Sequence, residues 1–156
     1  MPIRKNTLFT VPLYCVAAGL ICFFIIVYGV GRFAVVTQPD GSLASDEGRV
    51  LLLYGLVLAA SLAVGGPLLF SRLTKKEIAV SATVMVVFRL VTLLLEALLS
   101  PTGSLAVTFS YLAMPGEWYT FIPLLLYRLT GSFLLSAVLG AFTPYIFILF
   151  GKKRLE

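Results

Sequence analysis

Apolar residues fall into four long runs, and short polar segments separate them. The runs cover about residues 8–30, 50–70, 78–99 and 119–150. Each reaches the roughly 20 residues that an α-helix needs to cross a bilayer. Because lipid cannot satisfy free backbone polar groups, we expect every run to be helical. The pattern predicts an all-α fold, an integral membrane four-helix transmembrane bundle that forms a single domain of 156 residues.

The composition supports this interpretation, and the positions of the charges predict an orientation. Only 12% of the residues are charged, against about 25% in soluble proteins, so a soluble helical bundle could not cover its surface. Eight of the 12 basic residues lie in the segments 4–5, 72–76 and 152–154, which alternate with the apolar runs as the positive-inside rule expects. We therefore predict both termini in the cytoplasm and a multi-pass protein of the plasma membrane. No basic-aromatic interleaving indicates nucleic acid.

The sequence contains few groups that could support a reaction. There is no histidine, and we find no metal-ligand cluster, nucleophile motif or glycine-rich phosphate loop, so we expect no cofactor or metal and lean against an enzyme. Cys15 and Cys22 lie seven residues apart, about 10.5 Å along a helix, beyond the ~7 Å that a disulfide allows. We interpret both as packing residues. A membrane enzyme that acts on lipid stays open as a weaker alternative.

Polar residues inside the third and fourth runs form the candidate ligand-binding site. Arg89, Thr92 and Glu96 share one helix face, and Arg128 lies at a depth similar to that of Glu96 on the fourth run. An unpaired charge in the membrane core costs at least ~2.5–3.5 kcal/mol, so we predict a Glu96–Arg128 pair with Arg89 beneath it. The net positive cluster favours an anionic or amphiphilic ligand. The alternatives are a cluster that only fixes the bundle, or a proton-coupled carboxylate at Glu96.

Small residues recur every four positions on the second and fourth runs. Such ridges allow close helix packing in lipid. We expect packing inside the bundle, with a seam to a second copy or a membrane protein partner as the minority interpretation. The residues are Gly55, Ala59 and Ala63, and Ser132, Ser136 and Gly140.

Three shorter segments carry local predictions. Thr74 and Glu77 match a capping box that would open the third helix. Residues 105–114 are apolar but too short to span a membrane, so they either lie across the surface as a flap or dip inward as a re-entrant segment. Tyr111, Trp118 and Tyr119 resemble an outer aromatic belt.

Together these features favour a small transport-type or ligand-binding membrane protein. Its polar site would lie between helices three and four, and it would take an anionic lipid or a small anion from its surroundings. The second hypothesis is a non-catalytic accessory or assembly subunit, which would use the small-residue ridges to dock a larger membrane partner or form a homo-oligomer.

Overall fold

The computed structural model describes residues 7–152, and their secondary structure is mainly helical. Four helical segments in this part of the chain are long and apolar enough to cross a membrane, namely Thr10–Ala34, Glu47–Arg72, Lys75–Leu99 and Phe133–Phe150. The all-α class therefore fits, with one small β-hairpin that the apolar pattern did not predict. The α-helices are α1 Thr10–Gly29, α2 Glu47–Leu68, α3 Lys75–Leu99, α4 Ser104–Ala113, α5 Phe121–Thr130 and α6 Phe133–Gly140. The strands are β1 Val35–Thr37 and β2 Leu43–Ser45, which pair antiparallel.

Side-chain caps fix the starts of α2 and α3. The Asp46 carboxylate accepts a hydrogen bond from the Arg49 N–H at 2.9 Å, which satisfies a backbone donor that the first turn of a helix leaves free. At α3, Thr74 and Glu77 form the predicted capping box, with each side chain bonded to the other residue's N–H. The capping-box prediction is confirmed.

The three long helices are arranged up, down and up. The Val11 N–H at the start of α1 donates to Ser81 Oγ near the start of α3 at 2.9 Å, so these two helices run parallel. Between them in sequence, α2 runs the opposite way, because Gly65 near its last turn lies against Tyr14 near the start of α1. We call the end with Arg72, Lys75 and Lys152 the basic end, and the opposite one the β-hairpin end.

The expectation of one helix over residues 119–150 is wrong. Gly131 adopts a left-handed conformation with φ +66° and ends α5, because glycine enters this region without steric cost. The Ser132 side chain then caps α6 by accepting from the Leu135 N–H. The two short helices fold back on each other, so that Gly140 lies beside Pro123.

A 3-10 helix completes the return of the chain to the basic end. It covers Thr143–Phe150. Its end is fixed there by the Lys152 N–H, which donates to the Leu73 carbonyl at 2.9 Å.

Residues 104–130 enter the bundle and leave it at the same end, and we call them the re-entrant segment. After α3 ends, α4 leads inward from the β-hairpin end until the Met114 carbonyl touches Gly19, halfway along α1. The 3-10 helix Met114–Tyr119 makes the turn, and α5 returns to the β-hairpin end. Residues 105–114 therefore follow the inward path of the re-entrant alternative and do not form a flap across the surface.

The deepest part of the re-entrant segment carries the centre of the core. Trp118 is fully buried, with its ring centroid 5.1 Å from that of Phe147 and 6.2 Å from that of Tyr14. Tyr119 is buried beside it. The expected aromatic belt is therefore wrong for Trp118 and Tyr119, because the re-entrant path takes both inward, while Tyr111 is exposed.

Candidate functional site

A cavity of about 420 Å³ lies where the re-entrant segment, α6 and α3 meet. Its volume is within the range of small-molecule pockets. Apolar walls come from both arms of the α5–α6 hairpin, including Leu124, Phe133 and Ala137. The polar side chains of the lining are Arg89, Glu117, Tyr119, Thr120, Tyr127 and Ser136. Small-molecule pockets in proteins commonly combine apolar walls with a few polar groups in this way.

Arg89 supplies the positive charge of the cavity lining. It lies ten residues before the end of α3 at Leu99, about 15 Å from the β-hairpin end. Its Nη1 atom is buried and has no hydrogen-bond partner among residues 7–152. Thr92, one turn further on, does not reach it, because the Thr92 hydroxyl donates to the Phe88 carbonyl at 2.9 Å. Of the three residues predicted to share a helix face, Arg89 lines the cavity, whereas Thr92 is satisfied within its own helix.

Tyr119 supplies a second unpaired group to the same cavity. The residue is 3% exposed, and its hydroxyl has no hydrogen-bond partner in the part of the chain that the structure describes. Buried polar groups in proteins are nearly always paired, since leaving one unpaired costs about 1–3 kcal/mol. Both residues with these unpaired donors line the same cavity.

Glu117 is the acid of the cavity, and sequence reasoning missed it. It lies in the 3-10 helix at the inner turn of the re-entrant segment, where it is partly buried. Its Oε1 accepts a hydrogen bond from the Tyr54 hydroxyl on α2 at 3.0 Å. No ion pair joins Glu117 to Arg89 within the described residues, although both line the cavity.

The predicted Glu96–Arg128 pair is wrong. Arg128 Nη2 instead bonds Glu47 Oε2 at the start of α2, at 3.1 Å, and Glu96 is exposed on α3. The physical reason is the helix break at Gly131, which turns α5 toward α2 instead of leaving it as part of a continuous helix beside α3. Since the Arg128 and Glu47 side chains are 42% and 88% exposed, their pair contributes at most about 1 kcal/mol. Neither Glu96 nor Arg128 lines the cavity.

The small residues of α6 pack against its own hairpin partner. Ser136 is buried and lies 3.2 Å from the Thr130 hydroxyl, measured between oxygens. Gly140 lies against Pro123, where an added Cβ would be 3.0 Å from the proline side chain. Both residues also line the cavity. Ser132 has a different position, since it is the N-cap that precedes α6.

The ridge on α2 is divided between the interior and the surface. Gly55 lies against the ring of Phe121, with an added Cβ at 3.2 Å, so it holds the start of α5 close to α2. Ala59 and Ala63 are exposed. The ridge is therefore partly used for packing within the chain, and its second half is at the surface of the described structure.

The two cysteines lie on the opposite side of the re-entrant turn. Cys15 and Cys22 are free and buried, and Cys22 Sγ lies 3.6 Å from Ser61 Oγ. Cys22 also lines a second, apolar cavity of about 410 Å³ between α1 and α2. Over residues 7–152, no group of three or more His, Cys, Asp or Glu side chains could hold a metal ion.

Comparisons with known proteins add no assignment. No family model, no curated protein and no solved structure matches the chain. The observations therefore define a class by structure alone. It is an all-α protein with four helical segments of membrane-spanning length and a cavity of mixed apolar and polar lining beside the re-entrant segment.

Proposed function

We propose that this protein is a multi-pass plasma-membrane protein, of a transport or ligand-binding type, that holds an anionic or amphiphilic molecule in the cavity beside Arg89. The observation that carries the proposal is the pair of unpaired groups, Arg89 Nη1 and the Tyr119 hydroxyl, which line one cavity. A guanidinium and a phenol both donate to phosphate or carboxylate oxygens. An anionic group between them would satisfy both donors and neutralise the arginine.

The rim of the cavity supports an amphiphile over a fully water-soluble ion. Tyr127 is 47% exposed and Phe133 is 74% exposed, and both belong to the lining. With the four spans in a bilayer and the basic end in the cytoplasm, as the positive-inside rule favours, these side chains lie in the outer half. A lipid-like molecule reaches such a site sideways, with its chains in the membrane and its headgroup in the cavity.

Native mass spectrometry of the protein extracted gently from its own membrane tests this proposal. We expect an anionic lipid or metabolite to co-purify with the wild type and to be lost in Arg89→Gln. Tyr119→Phe, which removes one hydroxyl, should reduce its occupancy. Arg128→Gln is the matched control, because it removes the same charge outside the cavity and should leave occupancy unchanged. Equal occupancy in Arg89→Gln and Arg128→Gln, with both variants folded, would refute the proposal.

A non-catalytic accessory subunit is the second candidate. Its support is the exposed half of the small-residue ridge on α2, at Ala59 and Ala63, where a partner helix could approach closely. On this hypothesis a second protein co-purifies at fixed stoichiometry. Ala63→Leu would then release the partner, while Leu56→Ala, a change at another exposed α2 residue, would not. Loss of Arg89 would leave the complex intact.

A further inference from the structure

The polar lining of the cavity contains one positive and one negative side chain, and the structure keeps them apart. Arg89 and Glu117 both line it, yet among the described residues neither forms an ion pair with the other or with any third residue. Opposite charges in a low-dielectric site attract strongly. Because both residues line one cavity without pairing, a ligand in that cavity can interact with each of them.

One oxygen of the Glu117 carboxylate, Oε2, is free to accept a hydrogen bond from a ligand. Oε1 takes the Tyr54 hydroxyl, whereas Oε2 accepts no hydrogen bond from residues 7–152. The hydroxyls of Thr120 and Ser136 are bonded to backbone carbonyls, so they do not compete for it. A ligand in this cavity therefore meets two buried unpaired donors, Arg89 Nη1 and the Tyr119 hydroxyl, and one carboxylate acceptor, Glu117.

We infer that the ligand is zwitterionic, with a phosphate or carboxylate held by Arg89 and Tyr119 and an ammonium held by Glu117. The inference rests on the proposed function and adds the ligand class. A purely anionic headgroup would satisfy Arg89 but would leave the Glu117 carboxylate beside a second negative group, which is unfavourable at short range. An aminophospholipid headgroup supplies both charges, separated by a short carbon linker.

Binding to short-chain lipids tests the role of Glu117 separately from that of Arg89. The full-length protein, in detergent, is titrated with dihexanoyl phosphatidylethanolamine and dihexanoyl phosphatidylglycerol, which share chains and phosphate but differ in the ammonium. The wild type should bind the ethanolamine lipid about tenfold more tightly, as one charge-assisted hydrogen bond allows. In Glu117→Gln the two affinities should come within about twofold of each other. Glu96→Gln removes an exposed carboxylate outside the cavity and should retain the preference.

Arg89→Gln distinguishes failure of the inference from failure of the proposed function. Loss of both lipids in Arg89→Gln, combined with an ethanolamine preference that depends on Glu117, supports both. If Arg89→Gln loses both lipids and the wild type binds them equally, the site exists but its ligand is simply anionic, and the inference is overturned. If Arg89→Gln binds both lipids like the wild type, the site itself is refuted. Phosphoethanolamine without acyl chains, titrated alongside, should bind more weakly than the lipid. Equal binding would mean that the acyl chains contribute nothing, and it would overturn the assignment of the ligand to a lipid.

Discussion

Replacing Gly19 with alanine should separate the re-entrant segment from α1. An added Cβ would lie 2.9 Å from both the Met114 carbonyl carbon and the Pro115 Cα, and closer still to the Met114 carbonyl oxygen. These are backbone atoms, which cannot rotate away, so the two segments must move apart by about 1 Å to restore normal contact distances. Overpacking costs up to about 3 kcal/mol, and alanine returns about 1 kcal/mol of helix propensity. We expect a net loss of about 2 kcal/mol.

The single tryptophan of the chain reports this change directly. Trp118 is fully buried three residues after Pro115, so its emission should shift to the red and its quenching by acrylamide should rise in Gly19→Ala. Unfolding by a graded SDS titration in mixed micelles gives the free energy. Gly31→Ala is the matched control, because no atom lies within 4 Å of a Cβ added there. If Gly19→Ala matched Gly31→Ala in stability and in Trp118 emission, the close contact between α1 and the re-entrant turn would be refuted.

Three further substitutions test local features. Ser81→Ala leaves the Val11 N–H without its buried partner. The free energy of unfolding should fall by about 1–3 kcal/mol in the same titration. A smaller loss would mean that another acceptor replaces the hydroxyl. Gly131→Ala places a Cβ on a residue in the left-handed conformation and should lower the free energy of unfolding by about 1–2 kcal/mol. Unchanged stability would argue against the sharp turn between α5 and α6. Hydrogen bonds from Ser42 hold the pKa of the Asp40 carboxyl below its ordinary value, so their small stabilisation is present at neutral pH and is lost as the pH falls through that lowered pKa. Ser42→Ala should raise the pKa, measured by NMR titration, and no change would contradict the turn geometry.

The apolar pattern predicted the long helices because their length and hydropathy are local properties. The three that run as uninterrupted apolar stretches begin and end within a few residues of their predicted limits, and the Thr74–Glu77 capping box marks the start of α3. The fourth run was predicted as one helix because residues 119–150 are largely apolar. The chain instead reverses its direction at one glycine, Gly131. Gly131 followed by Ser132 was the available signal, a left-handed helix end joined to an N-cap.

Only one residue of the candidate site, Arg89, could be predicted, because its signal is also local in sequence. Arg89 stands out in the sequence because a charge in an apolar run is costly wherever the run goes. Its companions Tyr119 and Glu117 come from a segment whose depth is decided by contacts distant in sequence, above all that of Met114 with Gly19. Helical periodicity describes neighbours on one helix and contains no information about which loop folds inward. The acid expected near Arg89 was therefore Glu96, on the same helix face and paired with Arg128.

The lengths of α4 and α5 have a consequence for biogenesis. Each has ten residues, about 15 Å of helix, or half of a ~30 Å hydrocarbon core. Neither is long enough to be integrated during synthesis as a span of its own. With the spans in a bilayer, as proposed, the re-entrant segment would enter after α1 and α2, because the surface that receives it, from Gly19 to Gly55, exists only once those helices lie side by side. Assembly would then be ordered in time, and Trp118 would lie outside the bundle until the re-entrant segment enters.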